Sequence, residues 1–244
     1  MPECPTESDK TTSTPQGEGR SVLAVLWDFD GVIARTENLH IAAWQRVVRH
    51  VEIKLPRRAF DRAASDDDRD LIYRAFDQAG IRLHASQVRA WCANKQAILV
   101  DLLKTSPPIY PNVPQCMRAL AEMGLRQGVV TSTWRANVEA TLGHTGLLDM
   151  LEFVIAKEDV ARPKPWPDGY RLAVQRMGLA PGQCIALEDS PSGLASARSA
   201  GVGVLAVAHP FSPAAQRADD WTGGARVLSG FSDLKHVINA LETS

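Results

Sequence analysis

The chain has 244 residues, of which 45% are hydrophobic and 23% are charged, and its formal net charge is -1. This length and composition suffice to bury a complete core, so we expect one large domain or a core domain with a smaller cap. The small net charge gives no electrostatic reason to bind nucleic acid or an anionic membrane surface, and we expect neither partner.

The four cysteines are scattered along the chain without Cys-x-x-Cys spacing, which predicts neither a zinc site nor a disulfide framework. Such cysteine usage favours a reducing compartment. The N-terminal segment has no apolar signal core, and no stretch approaches the roughly 20 apolar residues that a membrane span needs. We therefore expect a cytoplasmic protein, and the sequence carries no signal for an oligomeric state.

The first predicted strand follows a polar tail. Residues 1–20 are rich in Pro, Thr, Ser, Gly and Glu, so burial cannot offset the entropy lost on ordering, and this segment is predicted to be disordered. The apolar run that begins at Leu23 then ends in Asp28 and Asp30, with Gly31 after them. This pattern predicts a buried strand with two carboxylates at its carboxyl end, which favour a divalent cation, a shared proton or different catalytic roles.

The segment 36–107 contains three helical patterns and no strand pattern. The first predicted helix runs from Glu37 to Val51, with Thr36 as its N-cap. The other two cover about residues 68–79 and 86–104. An entirely helical insert after the first strand predicts a small cap domain over residues 36–107.

Residues 21–35 and 108–244 are predicted to form the core domain. From residue 112 onward helical and strand patterns alternate, which is typical of βαβ units in a parallel sheet. The predicted strands cover residues 128–132, 153–156, 184–187, 202–207 and 226–228; the predicted helices cover residues 112–123, 136–142, 168–177, 191–200 and 232–241. The predicted fold class is therefore α/β: a Rossmann-like, doubly wound parallel sheet core with a small all-helical cap inserted after strand 1.

Oxygen-bearing side chains recur where the predicted strands end. Asp28 and Asp30 follow the first strand, Thr131 belongs to the end of the next, and Glu188 and Asp189 follow a later one. Parallel strands bring their carboxyl ends to one edge of the sheet. Carboxylates gathered there would hold Mg²⁺, which prefers oxygen ligands and pairs with a substrate phosphate.

Lys164 lies between two prolines on a loop, and these prolines are predicted to hold it extended. Together with the Thr131 hydroxyl, it would hold phosphoryl oxygens as their charge develops. Each of these side chains taken alone is more often solvated or structural. Their order along the chain is what indicates a phosphoryl-transfer site.

This order resembles the haloacid dehalogenase superfamily, specifically its β-phosphoglucomutase-like branch, and the resemblance covers about residues 22–210. It implies that Asp28 is the nucleophile and Asp30 the general acid/base. It also implies that Thr131 and Lys164 are the second-motif hydroxyl and the third-motif lysine.

The same resemblance implies a Mg²⁺ site. Glu188 and Asp189 match the fourth-motif metal pair, followed by the sequence Ser-Pro-Ser-Gly at residues 190–193. The predicted metal-binding residues are Asp28, Asp30, Glu188 and Asp189.

The predicted cap carries further parts of the resemblance. Thr36, His40 and Trp44 fit a Thr-x-x-x-His-x-x-x-Trp helix, and Lys95 matches a cap lysine that faces the site. Without the resemblance, His40 and Trp44 are more often a helix-face pair, and Lys95 is equally well a surface lysine. The candidate substrate-binding residues are Arg35, His40, Lys95, Ser132 and Arg135.

Two features depart from the branch. Arg35 stands where an aspartate is usual, and residues 65–69 replace a cap turn that usually bears an arginine. We expect a Mg²⁺-dependent phosphatase that hydrolyses a small phosphorylated metabolite, a sugar phosphate, through an aspartyl-phosphate. The alternatives are a hexose-phosphate mutase, which the changed turn disfavours, and a receiver-type phosphoacceptor, which is about half as long and has no helical insert.

Overall fold

The computed structural model describes residues 22–49, 67–210, 214 and 220–242. The predicted disordered tail of residues 1–20 lies outside this part of the chain, as does the segment 50–66 of the predicted cap. The boundaries of the tail, cap and core therefore stay predictions.

All six strands of the described chain are parallel and form one sheet. They are β1 (Ala24–Trp27), β2 (Arg126–Val130), β3 (Val154–Ile155), β4 (Cys184–Glu188), β5 (Gly203–Val207) and β6 (Arg226–Leu228). Their order across the sheet is β3-β2-β1-β4-β5-β6. This is the doubly wound order of a Rossmann-like sheet, and it confirms the predicted fold class. The chain changes direction across the sheet between β1 and β4.

The described α-helices are α1 (Glu37–Val48), α2 (Asp68–Asp77), α3 (Ala85–Thr105), α4 (Val113–Glu122), α5 (Arg135–Leu142), α6 (Asp168–Met177), α7 (Pro191–Ser199) and α8 (Leu234–Glu242). Four of the described helices lie between β1 and β2, namely the three helices of the insert and α4, and the others follow the later strands. The described residues contain no helix that combines the length and the apolar character of a membrane span.

Strand β1 has apolar layers on both of its faces, because its side chains alternate between them. Val25 and Trp27 belong to one buried cluster, and Ala24 and Leu26 belong to the other. All four residues are fully buried. A central strand buried on both sides is why this run reads as uniformly apolar in the sequence.

Strand β2 begins two residues earlier than predicted, because a polar residue in it is satisfied by distant partners. Gln127 accepts a hydrogen bond from Trp27 Nε1 (3.0 Å) and donates one to Met117 C=O (2.9 Å). These bonds let a buried amide sit in a central strand. Thr131 belongs to the predicted strand 128–132, but in the structure it directly follows β2.

The three inserted helices have their own apolar core, and α3 docks it on the core domain. Trp44, Leu71 and Phe76 are among the buried side chains of the insert. A separate cluster joins Leu99 of α3 to Ala140 of α5. The insert is thereby docked on α5, the helix that follows β2.

Two linkers join the inserted helices to the sheet, and they lie side by side. Ala34 and Ile109 form an antiparallel bridge. Next to it, Tyr110 N–H donates to Ile33 C=O (2.9 Å). The chain therefore enters and leaves the insert at one place.

Candidate active site

Three carboxylates meet at the carboxyl edge of the sheet, where β1 separates β2 from β4. Asp28 directly follows β1, Glu188 ends β4, and Asp189 comes next. One ligand oxygen from each of the three lies within 4.8 Å of those of the other two. In open α/β sheets this edge is where ligands bind.

Two glycines make room for these carboxylates. Gly31 has a left-handed backbone (φ 84°), and a side chain there would collide with the Asp189 carboxylate. A side chain at Gly193 would collide with the carboxylate of Glu188. The N-cap of α7 fixes this second approach, because Ser190 Oγ accepts a hydrogen bond from Gly193 N–H (3.0 Å). Both motif glycines are thus required by close approach of an acid.

Lys164 bridges two of the acids. Its Nζ donates to Asp28 Oδ1 (2.6 Å), to Val130 C=O (2.9 Å) and to Glu188 Oε1. The Tyr170 hydroxyl donates to the same Glu188 oxygen (2.7 Å), and the Tyr170 ring centroid lies 5.3 Å from Nζ. The ammonium is therefore held by a strand end, a helix and two carboxylates.

The loop that carries Lys164 is a turn, and the prediction that its prolines hold it extended is wrong. Trp166 N–H donates to Pro163 C=O (3.0 Å), which closes a four-residue turn around the lysine. The turn places the lysine backbone outside the sheet while its side chain reaches Val130 C=O at the end of β2.

The charges in this group do not balance. With all three acids ionised, Asp28, Glu188 and Asp189 would carry three negative charges against one positive charge on Lys164, an excess of two. Burial and the Glu188 carboxylate outweigh Lys164 and raise the pKa of Asp28 to about 8. Without a further cation the nucleophile candidate therefore keeps a proton near neutral pH. An all-oxygen donor set with two excess negative charges fits Mg²⁺.

Asp30 lies outside this group of three and faces the insert. Its carboxylate accepts a hydrogen bond from the Thr36 hydroxyl. Thr36 precedes α1 but makes no side-chain cap bond, so its predicted capping role is wrong: the hydroxyl is used by Asp30 instead. Burial, supported by Glu37 and opposed by the Thr36 hydrogen bond and by Lys95, raises the pKa of Asp30 to about 6. A carboxyl group with such a pKa can give and take a proton near neutral pH.

Thr131 directly follows β2, the strand that pairs with β1, and hydrogen bonds within its loop hold its hydroxyl in place. Thr131 is buried, and its hydroxyl accepts a hydrogen bond from Thr133 N–H (3.1 Å). The Thr133 hydroxyl in turn accepts one from Asn137 Nδ2 (2.7 Å). Ser132, the neighbouring candidate, is exposed.

The two candidate arginines are placed differently from the other site residues. Arg135 donates to Val154 C=O (2.9 Å) and pairs with Asp159 (2.5 Å), so its guanidinium is directed to the β3 side. Arg35 is exposed beside the linker to the insert. Neither is brought into the group of buried acids.

Lys95 and His40 contact each other within the insert, and a third residue, Asp68, contacts Lys95. Lys95 is 1% exposed, which excludes the surface-lysine alternative. Its Nζ lies 3.0 Å from His40 Nδ1 and 2.8 Å from Asp68 Oδ1. The other predicted helix residue, Trp44, donates from Nε1 to Asp68 Oδ1 (3.1 Å).

Sequence reasoning missed two of these partners. Tyr170 carries a hydroxyl group on the buried face of α6. A polar group at a buried helix position was the signal by which the sequence could have indicated this residue. Asp68 stands in the turn that departs from the branch, but nothing in a single sequence pairs it with Lys95, 27 residues further on.

Comparison with known proteins agrees with the geometry. A family model described as haloacid dehalogenase-like hydrolase matches residues 25–207. Protein CbbY of Rhodobacter capsulatus is 30% identical over 215 residues, which cover 82% of this chain and 89% of that protein. Fructose-1-phosphate phosphatase YqaB of Escherichia coli strain K12 is 31% identical over 186 residues, which cover 75% of this chain and 95% of that protein.

The fold matches solved structures as well. The crystal structure of CbbY from Rhodobacter sphaeroides in complex with phosphate has a TM-score of 0.75 and 26% identity, and the match covers 87% of this chain and 96% of that one. The family model spans most of the chain and includes both strand ends that carry the acids. The chain therefore belongs to the haloacid dehalogenase-like hydrolase family, as its motifs indicated.

Proposed function

We propose that this hydrolase is a Mg²⁺-dependent phosphatase that hydrolyses a small sugar phosphate through an aspartyl-phosphate. The observation that carries the proposal is the buried Asp28 carboxylate, hydrogen-bonded to Lys164 and grouped with Glu188 and Asp189 at the switch point of the sheet. A nucleophile placed among oxygen ligands and a fixed ammonium is suited to attack a phosphoryl group.

Asp28, Glu188 and Asp189 would hold the ion, with Asp30 as a fourth candidate. Bound Mg²⁺ supplies charge that draws the phosphate and the nucleophile together and stabilises the transferring phosphoryl group. Lys164 would add one fixed positive charge next to Asp28 Oδ1. The Thr131 hydroxyl accepts from Thr133 N–H, which leaves its own proton for a phosphoryl oxygen.

The first step forms the covalent intermediate. Asp28 Oδ attacks phosphorus, and the bond between phosphorus and the sugar oxygen breaks. Asp30 gives its proton to that departing oxygen, so the sugar leaves as a neutral alcohol. The pKa of about 6 at Asp30 supports this role, because the acid can be protonated when needed and ionised afterwards.

The second step returns the enzyme to its starting state. The ionised Asp30 takes a proton from water, and the water oxygen attacks phosphorus. The bond between phosphorus and Asp28 breaks, inorganic phosphate forms, and both carboxyl groups recover their original protonation. One water molecule is consumed for each phosphate ester.

The sugar phosphate class rests on the named relatives. One relative is a fructose-1-phosphate phosphatase, and another, of Streptomyces hygroscopicus subsp. limoneus, is a validoxylamine A 7'-phosphate phosphatase. A solved structure of a CbbY variant contains xylulose-(1,5)bisphosphate. Each of these compounds joins a phosphate to a polyhydroxylated carbon skeleton, and we extend that class to this enzyme.

The two alternatives are less well supported. A hexose-phosphate mutase must hold a second phosphate and exclude water, but in the described part of the insert the buried cation Lys95 is already paired with Asp68. A receiver-type phosphoacceptor has neither the helical insert nor the match to a hydrolase family model. We therefore do not propose either function.

A screen of phosphorylated metabolites tests the proposal. The purified chain is incubated with many phosphate esters in Mg²⁺ or in excess chelator, and released phosphate is measured. We expect many turnovers per enzyme on one or more sugar monophosphates, only with Mg²⁺, and none from the Asp28→Asn variant. The proposal is wrong if phosphate release never exceeds one per enzyme on any ester, or if chelator leaves it unchanged.

A further inference from the structure

A buried ion pair joins two helices of the insert. Asp68 lies in the first turn of α2, and its carboxylate oxygens lie 2.8 and 3.0 Å from Lys95 Nζ. Trp44 Nε1 donates to the same carboxylate (3.1 Å), and His40 Nδ1 lies 3.0 Å from the ammonium. Three elements of the insert, α1, α2 and α3, therefore meet at one neutral pair.

The pair is near the reacting groups. Lys95 is among the charges that lower the pKa of Asp30, although burial dominates and raises it. The end of α2 that carries Asp68 also faces the core domain, because the preceding residue, Asp67, accepts from Lys157 Nζ of the core (2.8 Å). One turn before His40 on α1, the Thr36 hydroxyl donates to Asp30, so the groups around the Lys95–Asp68 pair also reach the proposed proton donor.

The carboxylate is the more accessible member of the pair. The Lys95 side chain is 2% exposed, whereas the Asp68 side chain is 19% exposed. An ammonium has three protons to donate, and here they face Asp68 and His40. A substrate that reaches this pair would therefore contact the acceptor oxygens of Asp68 rather than the positive charge of Lys95.

We propose that Asp68 is a specificity-determining residue, which neutralises Lys95 and offers acceptor oxygens to sugar hydroxyls. The enzyme accordingly selects sugar monophosphates with an uncharged, hydroxyl-bearing skeleton and discriminates against the corresponding bisphosphates. At this pair a second phosphate would find no uncompensated positive charge, because Asp68 neutralises Lys95. This inference rests on the proposed phosphatase function and adds the class of substrate that the insert accepts.

Competitive inhibition tests the inference with a matched pair of ligands. Hydrolysis of p-nitrophenyl phosphate is measured with fructose 1-phosphate or fructose 1,6-bisphosphate as competitor, which gives a Ki for each compound whether or not it is turned over. The readout is the Ki ratio of bisphosphate to monophosphate. Differences in overall activity between variants cancel in this ratio.

Four variants separate the charge effect from damage to the fold. In Asp68→Asn the uncompensated Lys95 should lower the Ki ratio by about tenfold, which corresponds to 1.4 kcal/mol. In Lys95→Met the uncompensated Asp68 should raise it. The double variant Asp68→Asn/Lys95→Met is again neutral and should stay within about threefold of the wild type, because Asp68 acts through Lys95. Asp67→Asn makes the same charge change one residue away and should also stay within about threefold.

The outcomes are distinct. Equal changes in Asp68→Asn and Asp67→Asn, or an Asp68→Asn effect that persists in the Lys95→Met background, would overturn the inference. Circular dichroism and thermal melting check that each variant folds. If Asp68→Asn does not fold, the other variants test the inference: the Ki ratio should rise in Lys95→Met and return to the wild-type value in the double variant. Failure of the wild type to hydrolyse p-nitrophenyl phosphate and every ester of the screen would instead contradict the proposed function.

Discussion

The core domain and the insert differ in whether their buried charges are balanced. At the carboxyl edge of the sheet, three carboxylates lie close together beside one ammonium, so that this group has two negative charges in excess when all three acids are ionised. On the insert, Lys95 and Asp68 neutralise one another within 2.8 Å. A group with excess charge must bind ions or protons from outside, whereas a neutral pair is complete by itself. This difference supports placing the chemistry in the core domain and substrate selection in the insert.

Removing the nucleophile should have the largest effect on the unbalanced group. Asp28→Asn keeps nearly the same volume but cannot attack phosphorus, so we expect at least about a 10⁴-fold loss of turnover with the fold intact. Phosphate release and thermal melting measure the two properties. Retention of more than a few per cent of the activity would exclude an aspartyl-phosphate on Asp28.

Removing the cation should be nearly as severe. Without it, the excess negative charge repels the substrate, and we expect a loss on the order of 10³-fold in chelator or in Asp189→Asn. A second readout does not depend on activity: Mg²⁺ should raise the melting temperature of the wild type but not of Asp189→Asn. An identical Mg²⁺ stabilisation of both proteins would remove Asp189 from the metal site.

Asp30→Asn should separate proton transfer from binding. The loss should reach about 10² to 10⁴-fold for an alkyl phosphate, whose leaving oxygen needs a proton, and should be much smaller for p-nitrophenyl phosphate. The two kcat/KM values, measured on one enzyme preparation, give the comparison. If both substrates lose activity equally, Asp30 has a structural or metal-positioning role instead.

The raised pKa of Asp28 also predicts how stability depends on pH. Between its ordinary pKa of 3.8 and the raised value of about 8, the folded protein keeps a proton that the unfolded chain has lost. The free energy of unfolding contributed by this group therefore falls as the pH rises through that window. In chelator, the melting temperature of the wild type should fall more from about pH 5 to about pH 8 than that of Asp28→Asn. Parallel curves for the two proteins would show that Asp28 titrates normally.

The smallest expected effect concerns the ion pair between the insert and the core domain. Asp67 and Lys157 lie 2.8 Å apart, but their side chains are 34% and 31% exposed. Solvent screens such a pair, so Asp67→Asn should change stability by about 0 to 1 kcal/mol, and less at high salt. Thermal melting at two salt concentrations checks this. A loss well above about 1 kcal/mol, or one that does not depend on salt, would mean that solvent does not screen this pair.

The sequence predicts most of the fold because its signals are local. The apolar run before Asp28, the turn chemistry at Gly31 and the N-cap at Ser190 each depend on neighbouring residues, and all three agree with the structure. The order of acids, hydroxyl and lysine along the chain also indicated the correct family. The predicted ends of the strands were less accurate. The polar start of β2 is stabilised by a hydrogen bond between Gln127 and Trp27, which lie 100 residues apart in the sequence.

The parts of the site that could not be predicted depend on pairings between distant residues. No periodicity links Asp68 to Lys95, and the same sequence could leave Arg135 facing the cleft instead of Asp159. The Thr36 hydroxyl had two possible partners, the first turn of α1 and Asp30, and only the three-dimensional arrangement decides between them. Charge balance is likewise a property of the folded site, because it depends on which side chains lie together.

The paired linkers at Ala34 and Ile109 have a consequence for the modularity of this enzyme. Residues paired in an antiparallel bridge have Cα atoms only about 5 Å apart, so the whole insert leaves and rejoins the sheet as a loop would. A different helical module with closely spaced ends could replace it without changing the register of β1 or the order of the strands. Substrate range can then diversify by exchange of the insert, while the phosphoryl-transfer residues of the sheet remain in place.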